Sequence, residues 1–347
     1  MARDLRKRLP TQTVTLDSVA RRAGVSTATV SRVLNQPTKV NPAMREAVHR
    51  AIAALNYVPH GAARALASRR TRTIGAIVPT LKNAIFAACL DALQQRINAD
   101  GFVLLLATSE YSPERESSEL RALLERGVDA IMLFGRAHEA AIYASLEAQR
   151  IPFVLAYASQ PISQWPYVGF DNKRAAMRVT NHLLDLGHRR FGMIAGVTEF
   201  NDRAADRVAG VYEALAARGL SLPADLFIEQ PYTLVAGRAA MRSFLQHAQR
   251  PTAVVCGNDV LALGALAECR AAAVAVPGSV SIVGFDDLEM ASYATPPLTT
   301  IRVMAGEIGS RAAEYLLGSL AGRAVPKFVE LDIELIVRES SGPPMCS

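Results

Sequence analysis

Residues 15–35 read TLDSVARRAGVSTATVSRVLN, and this stretch decides the fold of the N-terminal part of the chain. Apolar residues recur at helical spacing before Gly24 and again after Ser26, which predicts two short helices joined by a tight turn. Thr15 and Ser26 precede these helices, where a hydroxyl can accept a hydrogen bond from an unpaired backbone N–H. Gly24 supplies the left-handed backbone that the turn requires. The stretch therefore predicts a helix-turn-helix.

The polar face of the second predicted helix distinguishes two interpretations of this motif. A helix-turn-helix can be an αα corner in a larger fold or a unit that reads DNA. Short side chains let a helix approach a duplex closely, and an arginine can make a bidentate contact to guanine in the major groove. The exposed positions carry short side chains, one guanidinium and no carboxylate: Thr27, Ala28, Thr29, Ser31 and Arg32. We therefore interpret this helix as a recognition helix.

The positive charge of the chain is concentrated at the same end. The 347 residues carry a net charge of +6, yet residues 1–72 hold fourteen Lys and Arg against three acids, a local net of +11. The remaining residues therefore carry a net charge of −5. A basic head on an acidic body is typical of phosphate contact confined to one end. The helical pattern in the head argues against a merely solvated or membrane-surface basic tail.

The segments around the motif complete the predicted N-terminal region. Residues 1–13 are polar and aperiodic and predict a flexible arm with a weak, non-specific electrostatic role. Asn41 and Pro42 suit the start of a third helix, which would complete a headpiece over residues 14–58. Residues 59–72 have Leu66 as their only large apolar residue, and so short a helix is marginal alone in water. The segment is either a linker that touches nothing or a hinge that orders on binding.

Two segments resemble the lactose repressor/galactose repressor family of transcription factors. They read AGVSTATVSRVLN at residues 23–35 and ALNYVPHGAARALASRRTRTIGAIVP at residues 54–79. The resemblance extends over residues 14–339, and it implies a DNA-binding headpiece, a hinge helix and a two-lobed core similar to periplasmic sugar-binding proteins. It also implies that the hinge helix pairs with its twin over the minor groove, where the leucine matching Leu66 wedges into the central base step.

The resemblance implies a homodimer on palindromic, double-stranded operator DNA. The residues SSGPPMCS at 340–347 are too short and too proline-rich to add a tetramerising helix, so we expect a dimer. The expected DNA contacts lie on the recognition helix, at the two caps, after the third helix and in the hinge: Thr15, Ser26, Thr27, Ala28, Thr29, Ser31, Arg32, Asn35, Asn56, Tyr57 and Leu66.

From Thr73 onwards, short apolar runs alternate with amphipathic stretches, and the pattern restarts after Gly169. Continuous apolar strands between helices indicate parallel sheets covered on both faces. The predicted fold is an all-α helix-turn-helix headpiece plus an α/β two-lobed core of two parallel-sheet subdomains. The predicted boundaries are residues 73–167 with 299–327 for the first lobe, 168–298 with 328–340 for the second, and 341–347 for a tail.

Two strands of this core carry specific expectations. Phe102–Ala107 is apolar throughout and predicts a strand buried within the first sheet. Phe328–Val337 predicts one strand that returns to the second lobe.

The residues that follow the predicted strands form a polar set with aromatics. Ligands of open α/β sheets bind beyond the carboxyl ends of the strands, so a hydroxylated small molecule is the expected effector. The expected effector-binding residues are Asn83, Phe86, Tyr157, Asp171, Asn201, Arg203, Arg207, Tyr232, Asn258 and Asp286. The resemblance implies effector contacts for Arg207 in DRVAG, Asn258 in GNDVLALG and Asp286 in VGFDD.

The chemistry of these residues leads to a hypothesis about the effector. Arg203 and Arg207 converge on the cleft without an obvious partner, which suggests an anionic molecule such as a sugar acid or a sugar phosphate. Tyr157 stands where sugar-binding members of the family often have an acid, a departure that weakens the case for a neutral hexose. Asp171 could orient Asp286 across the cleft. Phe86 and Tyr232 could stack on a ring or belong to the core.

Three other classes of protein are disfavoured. The four cysteines are widely spaced without a C-x-x-C pair, which is typical of reduced thiols and predicts neither a metal site nor a cofactor. An enzyme with a DNA-binding head would be expected to show a phosphate-binding loop, a dinucleotide fingerprint, a zincin helix or a nucleophile elbow, and the sequence has none. A non-specific architectural DNA protein needs no two-lobed body. No apolar run is long enough to span a bilayer, so we expect a cytoplasmic repressor without a membrane partner.

Overall fold

The computed structural model describes residues 14–58, 70–159 and 164–345. The chain divides into two compact units, a headpiece that ends at Thr71 and a core that begins at Arg72.

The described part of the headpiece contains the predicted helix-turn-helix and a third helix. These are α1 (Leu16–Ala23), α2 (Thr27–Asn35) and α3 (Pro42–Leu55). The side chain of Thr15 accepts from the N–H of Ser18 and caps α1, while Gly24 adopts φ +66° and ends it. The side chain of Asn41 accepts from the N–H of Ala43 at the start of α3. The local signals in the sequence therefore predict the helix ends correctly.

A small apolar cluster holds the three helices together. Val19 of α1, Val30 of α2 and Val48 of α3 are completely buried against one another. Because α2 turns Val30 towards this cluster, the opposite face of α2 is open to solvent. A groove of DNA can receive such a face.

The first lobe of the core is built on a parallel sheet of six strands. In chain order the strands are β1 (Thr73–Val78), β2 (Val103–Thr108), β3 (Ala130–Phe134), β4 (Phe153–Ala156), β5 (Tyr167–Gly169) and β11 (Phe328–Glu330). Their order across the sheet is β11-β5-β4-β3-β1-β2. The helices that accompany this sheet are α4 (Ala84–Ala99), α5 (Pro113–Glu125), α6 (Ala140–Ala148) and α12 (Ala305–Leu320). All of the strand pairs are parallel, as the apolar pattern predicts.

The second lobe repeats this architecture with a parallel sheet of four strands. The strands are β6 (Phe191–Gly196), β7 (Phe227–Gln230), β8 (Ala253–Cys256) and β9 (Ser281–Val283), in the spatial order β7-β6-β8-β9. The helices are α7 (Asn172–Asp185), α8 (Asp202–Ala216), α9 (Leu234–Gln246), α10 (Asp259–Ala271) and the short α11 (Glu289–Tyr293). A separate antiparallel pair joins β10 (Thr300–Arg302) to β12 (Glu334–Ile336).

Two predicted strands differ from the structure. β2 is not buried within the sheet but forms its outer edge, and Val103 is 63% exposed. The apolar run Phe328–Val337 is not one strand of the second lobe. Its first part, β11, pairs with β5 in the first sheet, and its second part, β12, pairs with β10. Asp332 and its neighbours interrupt the run, so the chain can leave one sheet before it joins the other strand.

The cysteines of the core are buried rather than clustered. Cys89, Cys256 and Cys269 are free thiols, and burial raises the pKa of Cys89 to about 12. Among residues 14–58, 70–159 and 164–345, no three His, Cys, Asp or Glu side chains are placed to hold a metal ion. Over the same residues no helix has both the length and the apolar character needed to cross a bilayer.

Candidate functional site

The outer face of α2 presents the side chains expected to meet DNA. Thr27, Ala28 and Arg32 are exposed, whereas Thr29 and Ser31 are partly buried. Ser26 accepts a hydrogen bond from the N–H of Thr29 at 3.2 Å and its hydroxyl lies 2.9 Å from the Thr29 hydroxyl. Capping therefore already uses these two hydroxyls, and the most accessible base-reading groups are those of residues 27, 28 and 32.

Four other predicted DNA contacts have different positions. Asn56 is exposed at the end of α3, in a left-handed conformation with φ +46°. Tyr57 is only 8% exposed and packs into the apolar cluster of the headpiece, so the prediction that it contacts DNA conflicts with its burial. Leu66 and the side chain of Asn35 lie outside the described residues.

A cavity opens between the two lobes of the core, at the carboxyl ends of the parallel strands. Together with the solvent space at its mouth, it holds about 340 Å³ that protein atoms do not fill. Its walls are Asn83, Ile85, Phe86, Tyr111, Tyr157, Asn201, Arg203, Arg207, Tyr232, Asn258 and Asp286. Every predicted effector-binding residue except Asp171 lines this cavity. The rule that ligands bind at the carboxyl ends of the strands accounts for that agreement.

Arg207 is the most constrained side chain in the cavity. Its Nε donates to Asn172 Oδ1 at 2.9 Å and its Nη1 donates to the carbonyl of Gly257 at 2.7 Å. The guanidinium carbon lies 3.7 Å from the centre of the Phe285 ring, a distance at which the ring face attracts a cation. These contacts fix the plane of the guanidinium before any ligand arrives.

Asp286 faces Arg207 across the floor of the cavity. One of its carboxylate oxygens lies 3.7 Å from Arg207 Nη2, and the residue is 4% exposed. Burial raises the pKa of Asp286 to about 7, and the Arg207 guanidinium acts in the opposite direction. The backbone of Asp286 has φ +115°, a strained conformation for a residue with a side chain. The loop therefore bends to point an acceptor into the cleft.

Asn258 provides an unsatisfied donor in the same cavity. Its Oδ1 accepts from the N–H of Leu261 at 3.0 Å and caps α10. Its Nδ2 is buried and has no hydrogen-bond partner within the described residues. A buried donor without a partner costs free energy, and an acceptor on a bound molecule would remove that cost. The amide therefore points to a ligand with an acceptor oxygen or nitrogen.

Aromatic side chains form the wall on the side of the first lobe. The rings of Phe86, Phe134 and Tyr157 lie 5.1 to 5.7 Å apart. The Tyr157 hydroxyl donates to the carbonyl of Ile85 at 2.9 Å. Because Tyr157 is 2% exposed and its hydroxyl is already used, it can offer a ligand a ring surface but not a free hydroxyl.

Tyr232 belongs to the opposite wall. Its ring lies against the backbone of Gly196, where a side chain would collide with it. Because Gly196 at the end of β6 has no side chain, the Tyr232 ring can lie in the cavity with Arg207 and Asp286.

Ile85 and Tyr111 line the cavity although neither is among the residues predicted from the sequence. Tyr111 follows β2 at the same edge of the sheet as the other cavity residues and has φ +61°. Its position after a strand of the same sheet is the signal that could have identified it. Burial raises the pKa of Tyr111 to about 12, so its hydroxyl stays protonated and can donate.

Asp171 does not orient Asp286. Its side chain accepts from the N–H of Arg174 at 2.9 Å and caps α7. The next residue, Asn172, is the one that holds Arg207. The position at which α7 begins explains why Asn172, and not Asp171, serves the cleft. Asp171 caps the helix and turns outwards, whereas Asn172 turns towards the cleft.

Both cavity arginines have acidic partners, contrary to the expectation from the sequence. Arg207 faces Asp286, and Arg203 Nη1 lies 3.3 Å from Asp202 Oδ1. The Arg203 side chain is only 7% exposed, so this pair is shielded from water. The expectation that these arginines are unpaired is therefore wrong, and the charge of the effector stays a prediction.

Two family models match separate parts of the chain. Residues 15–60 match the model described as bacterial regulatory proteins, lacI family, and residues 180–341 match a periplasmic binding protein-like domain. One relative matches nearly end to end. It is the HTH-type transcriptional repressor CytR of Escherichia coli K12, which is 34% identical over 94% of this chain and 96% of its own length.

The chain belongs to the lacI family of bacterial regulatory proteins.

Solved structures of lacI-family proteins share its fold. The lac repressor dimer bound to operator and an anti-inducer has a TM-score of 0.84 at 28% identity, covering 95% of this chain and 99% of that one. The transcriptional regulator CelR in complex with cellobiose has a TM-score of 0.69 at 32% identity and covers 94% and 99%. As a lacI-family protein, the chain is a sequence-specific DNA-binding regulator whose operator affinity is controlled allosterically by a small molecule bound between its lobes.

Proposed function

We propose that the chain is a dimeric repressor that reads a palindromic operator with α2 and senses a hydroxylated metabolite in the interlobe cavity. Arg32 on α2 is exposed and suited to bidentate contact with guanine. Thr27 and Ala28 are also exposed on α2, and their small side chains would determine how the helix fits against the base edges. A cytoplasmic location follows from this role, since the operator is there.

The unpartnered Nδ2 of Asn258 is the observation that carries the effector proposal. It lies in a cavity whose acceptor is Asp286 and whose further donors are Arg203 and Tyr111. Donors outnumber acceptors, so the effector should present more acceptor oxygens than donor groups. Sugars meet this requirement through hydroxyl and ring oxygens, and sugar acids meet it more fully through a carboxylate.

The walls of the cavity support the same class of molecule. The aromatic rings of Phe86 and Tyr232 can pack on a sugar ring. CelR, a relative with this fold, was solved as a complex with the sugar cellobiose. We therefore propose more specifically that the effector is a sugar acid. This proposal is supported by the excess of donors over acceptors in the cavity, and not by an unpaired cation.

Calorimetry of the intact protein against gluconate, ketogluconate, glucose and galactose tests the proposal. Binding of an acid but not of its neutral counterpart would support a sugar acid. Binding of the neutral sugars alone would refute it while leaving the sugar-sensing repressor in place. Retention of sequence-specific DNA binding in the same preparation shows that the protein is folded and active.

A further inference from the structure

A charged cluster joins the two lobes beside the effector cavity. Arg136 follows β3 in the first lobe, and Asp206 lies on the second turn of α8 in the second lobe. The guanidinium grips the carboxylate with two hydrogen bonds, Nη1 to Oδ2 at 2.6 Å and Nη2 to Oδ1 at 2.7 Å. The side chains are 32% and 24% exposed, so water screens the pair only in part. Bidentate pairs of this geometry are the strongest kind of ion pair.

The backbone of Arg136 adds a second bond between the lobes. Its N–H donates to Asp202 Oδ2 at 3.0 Å, and the Asp202 side chain is 8% exposed. Gly135, just before it, has φ +85°, and a side chain there would collide with Asp202 and Arg203. The glycine therefore lets the main chain of the first lobe approach α8 closely.

The residues on α8 alternate between this contact and the cavity. Asp202 and Asp206 are four residues apart and meet Arg136, as expected for one face of a helix. Arg203 and Arg207, also four residues apart, line the cavity. One rigid helix thus carries both sets. Any movement of α8 away from the first lobe changes both the ion pair and the position of the two arginines.

We propose that Arg136, Asp202 and Asp206 form an interlobe latch that stabilises the arrangement of the two lobes seen in this structure, independently of any effector. All of its bonds join protein atoms, so it needs no bound ligand to form. The latch therefore determines how much of the free-energy cost of bringing the two lobes together must be offset by effector binding. A protein with a firm latch binds its effector in a largely preformed cavity, whereas loss of the latch reduces the population that is ready to bind.

Hydrogen exchange of the intact, effector-free protein tests the latch without knowledge of the effector. The Arg136 amide is protected by its bond to Asp202, so its exchange reports separation of the lobes at this point. Asp206→Asn removes the charge that Arg136 grips and leaves Asp202 in place. We expect exchange of the Arg136 amide to become at least tenfold faster. Raising the salt concentration from about 0.05 to about 0.5 M should accelerate the same exchange in the unaltered protein.

Glu268→Gln is the matched control. Glu268 pairs with Arg238 and Arg242 at 3.1 and 2.6 Å, entirely within the second lobe. Its loss should leave exchange of the Arg136 amide unchanged. Should Asp206→Asn unfold the second lobe, Arg136→Gln tests the latch from the first lobe, with exchange of the Asp202 end of α8 as the readout. Exchange at native rates in a folded Asp206→Asn or Arg136→Gln variant would overturn the proposal.

Discussion

The guanidinium of Arg207 lies 3.7 Å from the carboxylate of Asp286, and both side chains are buried at the floor of the interlobe cavity. This pair gives the cavity one fixed donor and one fixed acceptor of opposite charge. It also makes each residue dependent on the other, because Asp286 is the acid that faces the buried guanidinium and Arg207 is the cation that opposes the rise in the Asp286 pKa.

Replacing Arg207 by Ala should weaken both the fold and effector binding. The change leaves Asp286 without its cation and Asn172 and Gly257 without their donor, at a cost of about 3 kcal/mol in the free energy of unfolding. Urea denaturation of the intact protein measures it. Arg178→Ala removes an exposed arginine of the same lobe that donates to the carbonyl of Ile333, and it should cost less than about 1 kcal/mol. Equal effects of the two changes would contradict the importance of the pair.

The pH dependence of stability should carry a contribution from Asp286. The pKa of its carboxyl is raised from its ordinary 3.8 to about 7, so the folded protein holds the proton more tightly than the unfolded chain does. The stabilising contribution is complete below about pH 4, declines as the pH rises towards 7 and is constant above it. The free energy of unfolding of the unaltered protein minus that of Asp286→Asn should follow this course. A difference that is flat between about pH 4 and pH 7 would show that Asp286 keeps an ordinary pKa.

Asn258→Ser should separate the two functions of this side chain, which are to cap α10 and to donate to the effector. Serine caps a helix about as well as asparagine does, so the melting temperature should change little. Serine lacks the amide Nδ2 that stands unpartnered in the cavity, so affinity for the effector should fall at least tenfold. Calorimetry and thermal melting of the same sample measure both quantities. Unchanged affinity would place the effector away from α10.

Arg32→Ala should relax the sequence preference of DNA binding. Its exposed guanidinium is the only one in the α2 sequence, and its loss should cost about 1–3 kcal/mol at one base-pair position. Lys39→Ala is the control, since Lys39 is exposed in the turn after α2 and should weaken binding to all duplexes alike. Competition between operator and scrambled DNA measures the ratio. An unchanged ratio for Arg32→Ala would remove it from the base-reading set.

Two changes at Tyr57 distinguish packing from DNA contact. The structure buries the ring in the headpiece, so Tyr57→Phe should bind operator with unaltered affinity. Tyr57→Ala should destabilise the headpiece by about 3 kcal/mol, seen as faster hydrogen exchange over residues 14–58. A loss of operator affinity in a stable Tyr57→Phe variant would instead show that the hydroxyl meets DNA.

Local features of this chain could be predicted from its sequence because their causes are local. Thr15, Gly24 and Asn41 cap or end helices through bonds to residues two to four positions away. The cavity residues could be predicted for a related reason. Parallel strands end at one edge of a sheet, so residues far apart in the chain, such as Asn83 and Asn258, arrive at one place.

Features that depend on distant partners could not be predicted in this way. Nothing near Arg136 in the sequence indicates Asp206, seventy residues later. The side of the cleft that Asp171 and Asn172 face depends on where α7 begins. The edge position of β2 and the transfer of β11 to the first sheet depend on the order of strands, which an apolar pattern does not contain.

The place of β11 and α12 has a consequence for synthesis on the ribosome. The described part of the headpiece is built of helices that are neighbours in the chain, so it can fold as soon as it leaves the exit tunnel. The first lobe cannot, because its last strand and one of its covering helices are translated after all four strands of the second lobe's parallel sheet. A nascent chain therefore carries a folded three-helix headpiece well before it carries a complete core.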